Sequence, residues 1–118
     1  SVYGGDSSGV FCGKIFVEKG AQQTEAFQQN NNLMVSKKAS VNAKPQLEIF
    51  ADDVVCSHGC TIGAIDERVL FYLLSRGIPE AEAINLLITA FLNESILNIK
   101  NNEIKTKLSK LFLKHNHA

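Results

Sequence analysis

Hydrophobic positions along the chain follow two periods, and the change between them falls near Asp66. Before it, apolar and polar residues alternate. Phe11, Ile15 and Val17 fall on one face with Gly13 between them, while Cys12, Lys14 and Glu18 fall on the other, which predicts a half-buried strand. Shorter apolar runs follow at Leu33-Met34-Val35, Leu47-Glu48-Ile49-Phe50 and Val54-Val55. Gly, Asn, Ser or Asp bound each of them, the residues that punctuate strands. The uncharged amide tract Gln28-Gln29-Asn30-Asn31-Asn32 is expected to form a loop rather than a ladder of stacked amides, because so short a tract rarely sets a fold.

Beyond Asp66 the spacing is helical. Asp66 is a suitable N-cap, and Val69-Leu70-Phe71-Tyr72-Leu73-Leu74 is apolar all round, so this first helix is expected to be covered on more than one side. Gly77 is expected to end it. A second helix is predicted from about Pro79, with Glu80 and Glu82 against the positive end of its dipole and Ile84, Leu87, Ile88, Phe91 and Leu92 along one face. A third begins near Glu103. It carries Ile104, Leu108, Leu111 and Phe112, with Lys105, Lys107, Lys110 and Lys114 largely opposite; a solvated lysine face is favoured over membrane anchoring because the chain has no Trp. Strands first and helices second predict a mainly β body with appended helices, and periodicity leaves a sandwich and a stacked coil both open.

Composition narrows the function classes. A chain of 118 residues has room for one domain, and 12 Lys and Arg balance 12 Asp and Glu, which argues against a nucleic-acid binder. No apolar run is long enough to span a membrane, and the opening Ser1-Val2-Tyr3-Gly4-Gly5-Asp6 resembles no signal peptide, so a cytoplasmic location is expected. That opening lacks an initiator Met and suggests a piece of a longer protein. Cys12, Cys56 and Cys60 are an odd count, which favours free thiols over a disulfide framework.

Chemistry concentrates in the segment that ends Val54-Val55-Cys56-Ser57-His58-Gly59-Cys60. If it is extended, Val54, Cys56, His58 and Cys60 share one face, with successive Cα atoms about 6.6 Å apart. Two thiols and an imidazole then point the same way and are able to converge on a soft metal at about 2.0 to 2.3 Å from each donor atom. The spacing is not one of the strong paired-cysteine patterns, and buried structural thiols with a hydrogen-bonded His58 are the competing expectation. A Cys56 nucleophile with His58 as base is weaker, because an i, i+2 pair on one strand does not readily bring thiol and imidazole within proton-transfer reach. Asp52-Asp53 is expected to form a turn rather than a hard-cation site, and His115 and His117 to belong to a solvated end.

The run Pro45-Gln46-Leu47-Glu48-Ile49-Phe50-Ala51-Asp52-Asp53-Val54, continuing through Cys56-Ser57-His58-Gly59, Ile62-Gly63, Asp66-Glu67, Leu70-Phe71-Tyr72-Leu73 and Ser75-Arg76-Gly77-Ile78, resembles the C-terminal part of the SufB/SufD family. These are scaffold components of the SUF iron–sulfur cluster assembly machinery. The Cys-Ser-His-Gly block is more similar to SufD-type chains than to SufB-type ones. The resemblance implies a mainly β fold with appended helices: the last coils of a right-handed parallel β-helix over residues 1–65, then a small C-terminal α-helical domain over residues 66–118. It implies pairing with a SufB-like chain through the β-helix and docking of a SufC-like ATPase through the helices, with Arg76 and Gly77 as docking candidates. His58, and after it Cys56, is implicated in cluster assembly, with a transient iron–sulfur cluster at the partner interface as cargo and no metal site assigned. Cys60 stands where the family commonly has a small residue, so no ligand role carries over to it.

The resemblance implies a scaffold that is not itself an enzyme, and no nucleic-acid or membrane partner. An adaptor with inert buried thiols is the alternative. About three coils with an open end would leave strand edges unpaired, which predicts that the isolated chain forms a homodimer.

Overall fold

The computed structural model describes residues 1–115, with side chains through residue 112, so His117 and the side chain of His115 lie outside the described part. Five strands precede three helices: β1 (Val2–Tyr3), β2 (Ser8–Val17), β3 (Thr24–Met34), β4 (Ser40–Ile49), β5 (Val54–Ala64), α1 (Glu67–Ser75), α2 (Glu80–Leu97) and α3 (Asn102–His115). Two compact units divide between Ala64 and Ile65.

In the first unit every strand pairs in parallel with the strand two along the chain. β1, β3 and β5 form one sheet in that order, and β2 and β4 form the other. A single chain therefore fills two parallel sheets alternately. The corners stack as well: the Asp53 N–H donates to Gln22 Oε1 at 2.9 Å, and the Gln23 N–H donates to the Asp53 carbonyl at 2.6 Å. Asp52 and Asp53 form the bend between β4 and β5, as their turn chemistry predicts.

The alternation in β2 is as expected. Phe11, Gly13 and Ile15 are half-buried and Val17 is buried, whereas Cys12, Lys14 and Phe16 are exposed. Gly13 has a specific reason to lack a side chain, because a Cβ there would overlap the amide nitrogen of Gln28 and the ring of Phe11.

The amide tract is not a loop. It lies within β3, where period two turns Gln28, Asn30 and Asn32 inward and leaves Gln29 exposed. Buried amides need partners, and β5 supplies some of them; among the described residues the buried Gln28 Oε1 and Asn32 Oδ1 have none. Asn32, only 2% exposed, donates from Nδ2 to the Thr61 carbonyl at 3.2 Å, and Asn31 Oδ1 accepts from Thr61 Oγ1 at 2.9 Å. The tract thus lies in a strand rather than in the expected loop, and its amide–amide bonds run along β3, from Gln29 to Asn31 and from Asn32 to Asn30, rather than between stacked strands.

The helical unit also departs from expectation. Asp66 caps α1 as predicted, its carboxylate accepting from the Arg68 N–H at 2.9 Å. Yet α1 has no buried residue: Leu70 and Leu73 are half-buried, while Val69, Phe71, Tyr72 and Leu74 are exposed. Among the described residues of the helical unit the expected cover on more than one side is not met, because a helix of 9 residues packed on α2 hides one stripe only. Pro79 is the N-cap of α2 rather than its first helical residue. The stripe Ile84, Leu87, Ile88, Phe91 and Leu92 is half-buried, and the fully buried positions are Ala83 and Ile96. Asn101 caps α3, accepting from the N–H groups of Glu103 and Ile104 at 2.9 and 3.1 Å. On α3, Leu108 and Phe112 are half-buried, while Ile104 and Leu111 are exposed. No helix among the described residues is long and apolar enough to cross a membrane.

Two outcomes follow from this packing. Gly13→Val is expected to lower the unfolding free energy by about 1 to 3 kcal/mol through overpacking against Gln28 and Phe11, measured by urea denaturation. Hydrogen bonding from the Arg68 guanidinium, and then from its N–H, holds the Asp66 carboxyl below the ordinary carboxylate value. A lowered folded-state pKa means that the cap's contribution is present above the unfolded value of about 3.9 and is lost as pH falls through the folded value beneath it. The Arg68 amide resonance should therefore titrate with a midpoint below about 3.9, and Asp66→Asn should abolish the transition; a midpoint at or above that value contradicts the cap.

Candidate functional site

β5 carries the candidate residues as one continuous strand of 11 residues, so Cys56, His58 and Cys60 do share a face. Register with β3 places Cys56 beside Ala26, His58 beside Gln28 and Cys60 beside Asn30. That face is the inward one. Cys60 Sγ lies 3.7 Å from Asn30 Oδ1 and 3.8 Å from Asn32 Nδ2, which puts the thiol at the end of the internal amide row.

Along this face cover runs out. Val54 and Cys56 are half-buried, but His58 and Cys60 are exposed. β5 is an edge strand, and among the described residues no further strand extends the two-stranded sheet beyond β4 to roof it. An edge strand presents unpaired N–H and C=O groups along its free side, a ready template for a partner strand. The expectation of buried thiols is therefore corrected: Cys12 and Cys60 are exposed and Cys56 is half-buried. The convergence of thiols and imidazole on one ion is corrected too. The described residues contain no group of three or more His, Cys, Asp or Glu side chains placed to hold a metal. Two strand rises between successive members hold the donors about 6.6 Å apart at their Cα atoms, and the chain alone does not close that gap.

Arg76 and Gly77 sit at the other candidate position, the end of α1. Gly77 adopts φ +85°, its N–H donates to the Leu74 carbonyl at 2.9 Å, and the Ile78 N–H reaches back to the Leu73 carbonyl at 3.2 Å. This pair of bonds is a Schellman stop, which favours glycine because a Cβ is strained at positive φ. Gly77 therefore has a structural reason to be glycine. Arg76 is the C-cap, and its guanidinium lies 5.7 Å from the centroid of the Tyr72 ring.

Sequence reasoning passed over two features of these sites. Asn30 and Asn32 were hidden in a tract assigned to a loop, although their two-residue spacing matches that of Cys56, His58 and Cys60. The exposure of Phe71 and Tyr72 on α1 is the second, and its signal is the apolar run all round the helix.

Comparison with known proteins agrees with the resemblance that the motif carries. Residues 1–91 match the family model described as SUF system FeS cluster assembly, SufBD core domain. The iron–sulfur cluster assembly protein SufD of Escherichia coli is 46% identical over 99 residues, covering 84% of this chain and 23% of its own length. An iron–sulfur cluster assembly SufBD family protein of Synechocystis is 51% identical over 85 residues, covering 72% of this chain and 19% of that protein. SufD of Bacillus subtilis is 38% identical over 102 residues, with 86% and 23% covered. The chain spans about a fifth to a quarter of the length of these curated relatives. On the family match over residues 1–91, the chain belongs to the SufBD family of SUF iron–sulfur cluster assembly proteins, with SufD among its relatives.

Proposed function

We propose that this chain is the C-terminal portion of a SufD-like scaffold that works in iron–sulfur cluster assembly in the cytoplasm and is not itself a catalyst. The observation that carries this is the position of the family motif: Cys56 and His58 lie on the edge strand of a parallel sheet, on a face whose cover ends at His58. An edge strand with an open inner face is half of a site. A second chain, SufB-like, that adds strands at this edge would bring the missing ligands to His58 and Cys56 and would enclose them, with the nascent cluster as cargo between the two chains.

The alternating parallel sheets support the last coils of a right-handed β-helix over residues 1–65. A parallel strand–crossover–strand connection is right-handed in nearly all proteins, and here β2 and β4 are the crossovers. Residues 66–118 are then the appended helical domain, which docks a SufC-like ATPase. Arg76 and Gly77 take part in different ways: Gly77 sets the stop of α1, and Arg76 presents the charge beside Tyr72.

Three outcomes test this. In the assembled complex, His58→Ala should reduce cluster formation on the order of tenfold or more, followed by visible absorbance after anaerobic reconstitution with iron and sulfide; unchanged formation removes His58 from the site. In the native chain, Cys12 and Cys60 should react quickly with a thiol reagent and Cys56 more slowly, read by mass spectrometry. Docking of a SufB-like chain should then protect Cys60. Without a partner chain, the free edges of β4 and β5 should drive a homodimer at micromolar concentration, and light scattering that gives a monomer defeats the edge-pairing model.

A further inference from the structure

The two acceptors that the amide row leaves unmatched lie beside the two exposed donors of β5. Gln28 Oε1 and Asn32 Oδ1 are buried and have no hydrogen-bond partner among the described residues. Register places Gln28 beside His58, and the Asn32 amide meets Cys60, its Nδ2 3.8 Å from Sγ. A buried acceptor without a donor signals a missing water or ion, and both atoms carry negative partial charge, so the missing group is electropositive. The other sheet does not supply it. On its inner side β2 offers only glycine and apolar residues, from Phe11 to Val17.

The donors are suited to a metal ion. His58 is exposed, and among the described residues its imidazole has no hydrogen-bond or ion-pair partner, so either ring nitrogen is free to turn toward a ligand. The Cys60 thiol is held by two amides, donating to Asn30 Oδ1 at 3.7 Å and accepting from Asn32 Nδ2 at 3.8 Å. An amide N–H aimed at sulfur stabilises the charge of a metal-bound thiolate. Three donors spread along the strand do not meet at one ion. A pair one step apart has only about 6.6 Å between Cα atoms to bridge, and an ion that takes its other ligands from outside is able to draw thiol and imidazole together across it. Cys56 is the less suited thiol, because it is half-buried on the covered part of the face.

We propose that His58 and Cys60 form a two-donor site for a borderline-soft divalent metal ion at the open part of the β5 face, the ion's remaining positions being filled by water or by a second chain. The proposal rests on the cluster-assembly reading above, in which iron is cargo. It adds Cys60, to which the family resemblance gives no ligand role, as the thiol that holds the ion beside His58. Imidazole with thiolate selects ferrous iron, zinc and cobalt over magnesium and calcium, which prefer oxygen ligands. On binding, the Sγ–H bond breaks and an Sγ–metal bond forms. The proton leaves to water, because Asn30 Oδ1 accepts a hydrogen bond but is not a base, and the oxidation state of the metal does not change.

The test is titration of the chain of residues 1–118 with cobalt(II) under anaerobic, reducing conditions, followed by the thiolate-to-cobalt charge-transfer absorbance. Wild type should give a saturable band that excess magnesium leaves in place. Cys60→Ser should abolish the band and His58→Ala should weaken binding by about tenfold or more, whereas Cys56→Ser and Cys12→Ser should retain it. Zinc should also slow alkylation of Cys60 but not of Cys12, read by mass spectrometry. That measurement uses wild type only, so it decides the matter even where a substitution unfolds the chain. A band kept in Cys60→Ser and lost in Cys56→Ser overturns the assignment to Cys60, and no band in wild type overturns the site. The cluster-assembly reading is tested apart, by His58→Ala in the assembled complex. Clusters that need His58, while the isolated chain binds no cobalt, defeat this proposal alone; cobalt binding by the chain, with clusters that form without His58, defeats that reading alone.

Discussion

The parallel pairing of β3 with β5 is the constraint on which the rest of the first unit depends. It runs from Thr24 beside Val54 to Met34 beside Ala64 without a break. A shift of one residue would turn Cys56, His58 and Cys60 from the inner face to the outer, because strand side chains alternate with period two. The internal amides hold that register. Asn32 reaches the Thr61 carbonyl and Cys60 Sγ from inside the sheet, and Asn31 meets Thr61 from outside, so both faces oppose slippage.

Cover on the inner face of β5 changes along the strand. Val54 and Cys56 are half-buried, then His58 and Cys60 emerge on the same face. β5 thus combines an unpaired edge with an uncovered imidazole, and an unpaired edge is a ready template for a further strand. The helical unit follows the same logic. α1 is capped at both ends, by Asp66 and by the Gly77 stop, so its backbone is satisfied without tertiary cover, and its outward side is left to Phe71, Tyr72 and Arg76.

Much of this was legible along the chain. Alternation in residues 11–17, the Asp66 cap, the Gly77 stop and the stripe of α2 are local properties, each written in a few neighbouring residues, and each is found where the pattern placed it. The misses share a cause. The amides of residues 28–32 carry no hydrophobic signal, and the cross-strand partners at Thr61 that tie them to β5 lie some 30 residues away in sequence. Ala83 is buried although its methyl group contributes little to an apolar period.

By itself, then, the sequence determined the order of elements, the change from strands to helices, the motif on β5 and the family to which those residues point. Only the tertiary structure decided which apolar and polar groups are covered. It turned the amides inward, left the thiols accessible and the metal-type donors apart, and exposed the outer side of α1. The physical reason is that periodicity reports which residues share a face, whereas burial depends on what lies opposite that face, and that is set by contacts between segments distant in the chain.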